Sequence, residues 1–566
     1  MHHLQKLIIV VLFLSTTVVL VLSKLPRFLD PTPPSSEDRL RDKRWVSSSP
    51  YWIDRQTCRW LTLCGIHHLR SDPATHPSHS RKNETGELGR LDLRRRSHWS
   101  QGGETETLAR PNAAIWGSAR RRKEGDPDHR DANDLKEVPD YVLKYAPLIH
   151  LHSEEYFFPS DIADHVEHMV PYANGMPLNL SKPVSLDELQ DLDAHPLPIY
   201  LTSEEDVEDR PEWLHSEAGM PRPFVGDGEG GGDDGGPDRP RSGDQYRGSG
   251  PPRHGTTWWD VDKDHPLHHI TEPRKGSGSR RGDRGPRIGP RNQQPLASPS
   301  PMYKPDSSGY SDAPAVLVLV DKGSGILDAF WFFFYSYNLG QTVLSVRFGN
   351  HVGDWEHCMV RFENGIPRAL FMSEHAGGQA YAWNALEKYR VTRTKTTHGG
   401  SDDGEEETVD RPVIYSAIGS HAMYAVPGNH PYVLPFGMLK DVTDRGPLWD
   451  PAKNTYAYFY DYEADREADG RAYMEGGGID ANQTSLVPAA SNPDAPTSWF
   501  HFGGPWGDEL YALSDMRQWR LFGQYHYITG PQGPKFKNLG RRNVCQTEHC
   551  TILYNIEDGK KAVWYG

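Results

Sequence analysis

Apolar and polar positions change their pattern several times along the 566-residue chain, and each change marks a part with a different physical task. Residues 7–22 are apolar except for Ser15, Thr16 and Thr17, and follow a short polar head carrying Lys6. This predicts a secretory signal over residues 1–23, as a cleaved signal peptide or as an uncleaved signal anchor. Residues 24–135 are rich in Ser, Arg, Pro, Asp and His and show no sustained period, so a disordered or loosely folded stalk is expected there. A short helical pattern after Pro139 and an alternating run around Leu148 open the N-terminal part of the folded core at 136–202. Within it, Ser160-Asp161-Ile162 reads as a capped helix start, with His165 and His168 on a polar surface face. Over 203–311 the composition collapses into Gly, Asp, Arg, Pro and Ser, predicting a disordered insertion whose one aromatic island, Trp258-Trp259, would dock back on the core.

The main core, residues 312–545, reads as strands, with 546–566 left as a C-terminal tail. Residues 313–320 are a β-branched apolar run, and 329–338 an aromatic run too short to span a bilayer but suited to a strand covered on both faces. Next comes Gly349-Asn350-His351-Val352-Gly353-Asp354-Trp355-Glu356-His357, leading into an alternating stretch through Phe362. Shorter strands follow at 368–373 and 412–418, separated by Gly, Pro and Asp. Few long helical patterns occur, so the expected fold is mainly β: a β-sandwich core with a few short helices.

The alternation also places chemistry. Side chains two apart on a strand share a face, which aligns Asp354 and Glu356 with Cys358, Val360 and Phe362 at the rim of a core. Two partly buried carboxylates need a cation, a proton or strong donors, and His351 can offer a nitrogen from the preceding turn. Other strand ends also finish in histidine beside small residues, at Glu374-His375-Ala376-Gly377-Gly378 and Gly419-Ser420-His421-Ala422. If these ends share one rim, His351, Asp354, Glu356, His375 and His421 form a candidate metal site, with Trp355 and Ser420 as ligand-binding neighbours. Mixed nitrogen and carboxylate ligands suit a divalent cation, Ca, Mg, Mn or Zn. The blander alternative is a carboxylate pair held by arginines and backbone N–H groups, with the histidines bonding turn backbones. No G-x-S-x-G elbow, H-E-x-x-H helix or phosphate-binding G-x-x-x-x-G-K-[ST] loop is present. Cys358 cannot be a nucleophile served by His357, because neighbours on a strand point to opposite faces.

Composition adds an address. A net charge of -15 argues against nucleic acid as a partner, and the clusters at Arg94-Arg95-Arg96 and Arg120-Arg121-Arg122-Lys123 read as solvated tail charges. Sequons at Asn83, Asn179 and Asn482 fit a glycoprotein of the secretory pathway. Five cysteines suggest the local disulfides Cys58 with Cys64 and Cys545 with Cys550, leaving Cys358 free. Lys43-Arg44 is a candidate dibasic cleavage site.

The stretch from Tyr141 to Phe158, the aromatic run, the Gly349 to Phe362 segment, the His375 and His421 motifs and the stretch from Trp499 to Tyr527 together resemble the fungal vacuolar protein sorting-associated protein 62 family. The resemblance covers 138–202 and 312–545 and implies a membrane-anchored or single-pass factor in delivery of proteins to the vacuole. A shorter similarity joins His351, Asp354 and Glu356 to the H-x-x-D-W-E stretch of necrosis-inducing secreted proteins. It implies a divalent-cation site on a β-sandwich that contacts sphingolipid headgroups. The aspartate expected upstream has no match here, Asn338 being the nearest polar residue, and Gly353 replaces a histidine of that motif.

The combined expectation is a vacuolar protein sorting factor in the secretory pathway or at the vacuolar membrane, with most of the chain lumenal, or secreted if the signal is cleaved. It would meet the membrane through its N-terminal segment, protein partners of sorting, and a lipid headgroup or glycan ligand through the cation. The alternatives are a metal-dependent lumenal or secreted hydrolase, with His357, His375 or His421 moving protons, and a structural adaptor without a metal site.

Overall fold

In a computed structural model the described residues are 35–69, 135–216, 219–221, 309–343, 345–375, 377–394, 406–433, 439–466, 485–547 and 550–562, with isolated positions at 13, 15–17 and 24. Most of segment 7–22, the sequons at Asn83 and Asn482, the basic clusters and the Trp258-Trp259 island lie outside them. Among the described residues no helix is long and apolar enough to cross a membrane.

Along the chain, the strands of the two main sheets are β1 (Leu148–His150), β2 (Ala315–Gly323), β3 (Ile326–Asn338), β4 (His351–Glu363), β5 (Ile366–Glu374), β6 (Gly377–Ala382), β7 (Lys388–Thr394), β8 (Glu406–Ser416), β9 (Met423–Tyr424), β10 (Leu448–Trp449), β11 (Thr455–Tyr460), β12 (Leu486–Pro488) and β13 (Ile552–Leu553). One sheet has eight strands in the order β12-β11-β2-β3-β4-β5-β6-β13. The other has the order β7-β8-β1-β10, with β9 also paired to β8. The antiparallel pair β3 and β4 is the spine, in register from Ile326↔Glu363 to Asn338↔His351.

The aromatic run explains the layering. Its even positions, Phe330, Phe332 and Phe334, pack with Trp355, Trp499 and Trp506 under short helices and loops. Its odd positions, Trp331, Phe333 and Tyr335, share a core with Ile149, Ile414 and Trp449 of the second sheet. The Phe333 and Trp449 rings meet edge to face at 5.3 Å, so the two sheets pack as a sandwich. Each such fully buried ring contributes about 1.5–3 kcal/mol, enough to fix a two-sided strand.

Several expectations change at the edges. Residues 35–69, expected within the loose stalk, form two helices, α1 (Ser36–Ser48) and α2 (Trp52–Leu61). The reason is local chemistry that period alone does not show. Ser35 and Asp38 make a reciprocal capping box, and buried Asp54 accepts from Trp45 Nε1 at 3.1 Å and Gly65 N–H at 2.9 Å. The lobe is tied to the core by backbone hydrogen bonds between Cys64 and Arg520, 2.9 Å in both directions, and by Arg520 Nη2 on Asp42 at 2.5 Å. Cys58 is bonded to Cys64 and Cys545 to Cys550, while Cys358 is free and buried. Lys43-Arg44 sits inside α1, a backbone that must unwind before cleavage. The start of the expected insertion is ordered as well, with Trp213 and Leu214 buried from the Glu212–His215 helix. The C-terminal tail adds β13 in parallel to β6. His165, expected on a surface face, is fully buried, because its helix lies on β3. Its ring meets Phe334 edge to face at 4.7 Å, and burial pushes its pKa down to about 3.

Two outcomes test this packing. Gly353 has φ +67°, and a Cβ there would stand 2.3 Å from the Trp506 carbonyl oxygen. Gly353→Ala is therefore expected to lower stability by about 1–3 kcal/mol in urea unfolding, more than Gly175→Ala, which has open space around it. Asp54→Ala strands the Trp45 and Gly65 donors; hydrogen exchange should show protection lost over 35–69 while β3 and β4 keep theirs.

Candidate functional site

The apolar row of β4 runs outward from Phe362, Val360 and Cys358 and ends in two carboxylates, Glu356 and Asp354, each only 5% exposed. On β5 the equivalent row, Leu370 and Met372, ends in Glu374. Continuing the register that pairs Met372 with Cys358 sets Glu374 across from Glu356. Three acids thus share one end of the inter-sheet core.

His421, from the turn after β8, answers one of them. Its Nδ1 lies 3.0 Å from Asp354 Oδ2, its Nε2 is 3.0 Å from the Phe157 carbonyl, and Glu155 Oε1 is 3.8 Å away. The ring is fully buried and lies flat on Tyr335, centroids 3.7 Å apart at 2°. Burial opposes its charge, but Glu155 and Asp354 outweigh it and raise its pKa to about 9. Both nitrogens therefore donate, and the ring is a cation. Glu155 accepts from the N–H groups of Tyr156 and Phe157, both at 2.9 Å, and of Gly419 at 2.8 Å. Burial works against its charge, yet His421 and these donors hold its pKa down.

A second pair stands beside the first. His375 Nε2 lies 2.8 Å from Oδ2 of Asp441, on the Leu439–Thr443 strand. Asp441 is fully buried and also accepts from Ser420 Oγ at 2.5 Å and Tyr424 Oη at 2.7 Å. Burial disfavours the His375 cation, but Asp441 prevails and its pKa rises to about 9. His375 keeps 37% of its side chain exposed, so it marks the mouth of the site. Both histidines hold left-handed backbone, φ 53° and 56°, a conformation uncommon outside glycine that often marks functional turns.

Glu356 and Glu374 differ from the other acids. Glu356 accepts from the Ser373 hydroxyl, and burial together with Asp354 pushes its pKa up to about 8. Burial raises Glu374 to about 8 as well, against the pull of His375. At these two acids burial outweighs the pull of the nearby cations, Lys537 and His375 at Glu356 and His375 at Glu374.

The structure brings the expected residues to one rim but not into one ready coordination shell. His351 is half-buried, with Nδ1 2.7 Å from the Gly353 carbonyl, and burial pushes its pKa down. Its Nε2 is the ring nitrogen that hydrogen bond leaves over. His421 spends both nitrogens, and His375 is committed to Asp441. Trp355, expected to contact ligand, faces the opposite side of the sheet and is 1% exposed among Phe334, Trp499 and Trp506, because neighbours on a strand alternate. Ser420 braces Asp441. Asn338 donates to the Gly349 carbonyl at 2.7 Å. Among the described residues, three ligand atoms come within 4.8 Å of one another only at Asp42, Cys58 and Cys64, whose sulfurs form a disulfide and offer no thiolate. Asn179 sits exposed in a loop. Sequence reasoning missed Glu374, Asp441, Glu155 and Ser373. Continued alternation along β5 could have found Glu374, whereas Glu155 and Asp441 reach the rim through contacts distant in sequence.

The fold and rim define a class: a two-sheet β-sandwich whose inter-sheet core ends in buried carboxylates clamped by histidine cations. The chain belongs to the vacuolar protein sorting-associated protein 62 family. The family model, Vacuolar protein sorting-associated protein 62, matches residues 329–437, the span of β4, His375 and His421. The chain is 33% identical over 437 residues to TDA6 of Saccharomyces cerevisiae, covering 74% of this chain and 70% of that protein. To Vacuolar protein sorting-associated protein 62 of the same yeast it is 31% identical over 435 residues, covering 74% and 70%. A solved structure titled "Toxin fold for microbial attack and plant defense" aligns with 19% of this chain and 51% of its own at 14% identity, with a TM-score of 0.11, too low for a structural argument.

The rim makes stability depend on pH. Glu356 has an ordinary pKa of 4.5 unfolded and about 8 folded, so the folded chain keeps a proton that the unfolded chain releases in that window. Its contribution is fully present below pH 4.5 and is lost as pH rises towards 8. In chelating buffer, Glu356→Gln should flatten the fall in unfolding midpoint across this window; an unchanged slope would show that Glu356 is not the group responsible.

Proposed function

We propose that the chain serves protein sorting to the vacuole as a binding protein, with a hard divalent cation seated at Asp354, Glu356 and Glu374. The vacuolar role is supported by membership of a family whose yeast members carry that name. The cation is supported by one observation above all: Glu356 and Glu374 stand two residues beyond the Met372↔Cys358 pair of β4 and β5, and burial raises both pKa values against the weaker pull of Lys537 and His375. Oxygen donors of this kind suit Ca, Mg or Mn, with Zn favoured only if His351 Nε2 joins. The ion would leave coordination positions to water towards the mouth at His375. Hydroxyls of a glycan or a lipid headgroup can replace that water.

Adding each of these ions to metal-free protein should raise the unfolding midpoint for at least one of them, and Glu356→Gln/Glu374→Gln, which spares the Asp354–His421 pair, should abolish the rise. The same double variant should fail in a vacuolar delivery assay while still folding. A midpoint indifferent to all four ions would remove the cation from this reading and leave the family role alone.

A further inference from the structure

Helix α2 is built inside out. Asp54 and Cys58 face the protein, while Trp52 (65% exposed), Ile53 (63%) and Trp60 (70%) face solvent, preceded by exposed Tyr51. The inversion has a cause on the inner side: Asp54 must face inward to take the Trp45 and Gly65 donors, and Cys58 must face Cys64. It has none on the outer side, where a soluble surface gains nothing by showing two tryptophans and an isoleucine on one helix. Trp60 Nε1 is already satisfied by Gln56 Oε1 at 3.2 Å, so what the ring presents is its apolar body.

Two further features point to what covers this face. The first is distance along the chain: the apolar segment ends at residue 22 and α1 begins at Ser36, so the link is at most about 40–50 Å when fully extended. A lobe on that tether stays near any bilayer that holds segment 7–22. The second is charge: Arg39, Lys43 and Arg44 are exposed on α1, which packs against α2, and Arg59 is exposed in the last turn of α2. Tryptophan rings favour the boundary between headgroups and acyl chains, and neighbouring cations favour anionic headgroups.

We propose that Trp52, Ile53 and Trp60 dock on the surface of an anionic bilayer, making the 35–69 lobe a second membrane contact beside segment 7–22. The helix lies in the plane of the interface with its aromatic face in the lipid. The disulfide and the Asp42–Arg520 pair then transmit that orientation to the sandwich. The proposal is independent of the cation rim.

The test uses full-length protein reconstituted in vesicles of phosphatidylcholine and phosphatidylserine, with the phosphatidylcholine either plain or brominated along its acyl chains. Segment 7–22 contains no tryptophan, so bromine quenching of tryptophan emission reports the folded part and not the segment. Expected is a quenched component in the wild type that is lost in Trp52→Ala/Trp60→Ala and strongly reduced in Ile53→Asp, with near-ultraviolet circular dichroism of the core unchanged. Quenching that persists in both variants would assign the contact to another surface. Absence of quenching in the wild type would show α2 covered by protein or open to water. Either result overturns the proposal.

Discussion

A protonated histidine buried between two carboxylates holds one end of the inter-sheet core together. His421 joins Asp354 of the large sheet to Glu155 of the N-terminal segment from a turn that leaves the second sheet, and it is stacked on Tyr335 of the aromatic strand. Removing one member of such a buried set costs about 3–5 kcal/mol, a large part of the 5–15 kcal/mol that keeps a domain folded. The cost explains why the turn accepts left-handed backbone at a histidine. It also explains why His421 is unavailable as a metal ligand: its nitrogens are the clamp.

Charge at the rim therefore sorts into two classes. Glu155, Asp354 and Asp441 have histidine partners, and Glu155 and Asp441 also collect backbone or hydroxyl donors. Glu356 and Glu374 continue the rows of Cys358 and Met372 to the edge of an apolar core, where a second negative charge is costly. The large sheet makes the difference persist, since β4 and β5 are fixed by rings and aliphatic chains buried on both faces.

Much of this was legible in the sequence because period-two alternation is a strong signal. The aromatic run, the carboxylate row of β4 and the sandwich class all follow from which residues share a face. The carboxylates were found for the same reason that Cys358, Val360 and Phe362 were. Trp355 was misplaced although the same rule puts it on the opposite face. The helices at 35–69 were hidden because capping and a buried Asp54 replace an apolar stripe there, and α2 even reverses it. The partners of the histidines were hidden more deeply. Glu155 and Asp441 lie far along the chain from the residues they serve, and only the folded topology brings them there.

The claim that most needs a direct measurement is the proposed cation at Asp354, Glu356 and Glu374. An X-ray structure of the protein crystallised with manganese, recorded at an energy where manganese scatters anomalously, would locate it. The account predicts an anomalous peak about 2.0–2.6 Å from carboxylate oxygens of Asp354, Glu356 or Glu374. A well-ordered rim with no peak there, and with Glu356 and Glu374 sharing a proton across a short oxygen–oxygen contact, would contradict it.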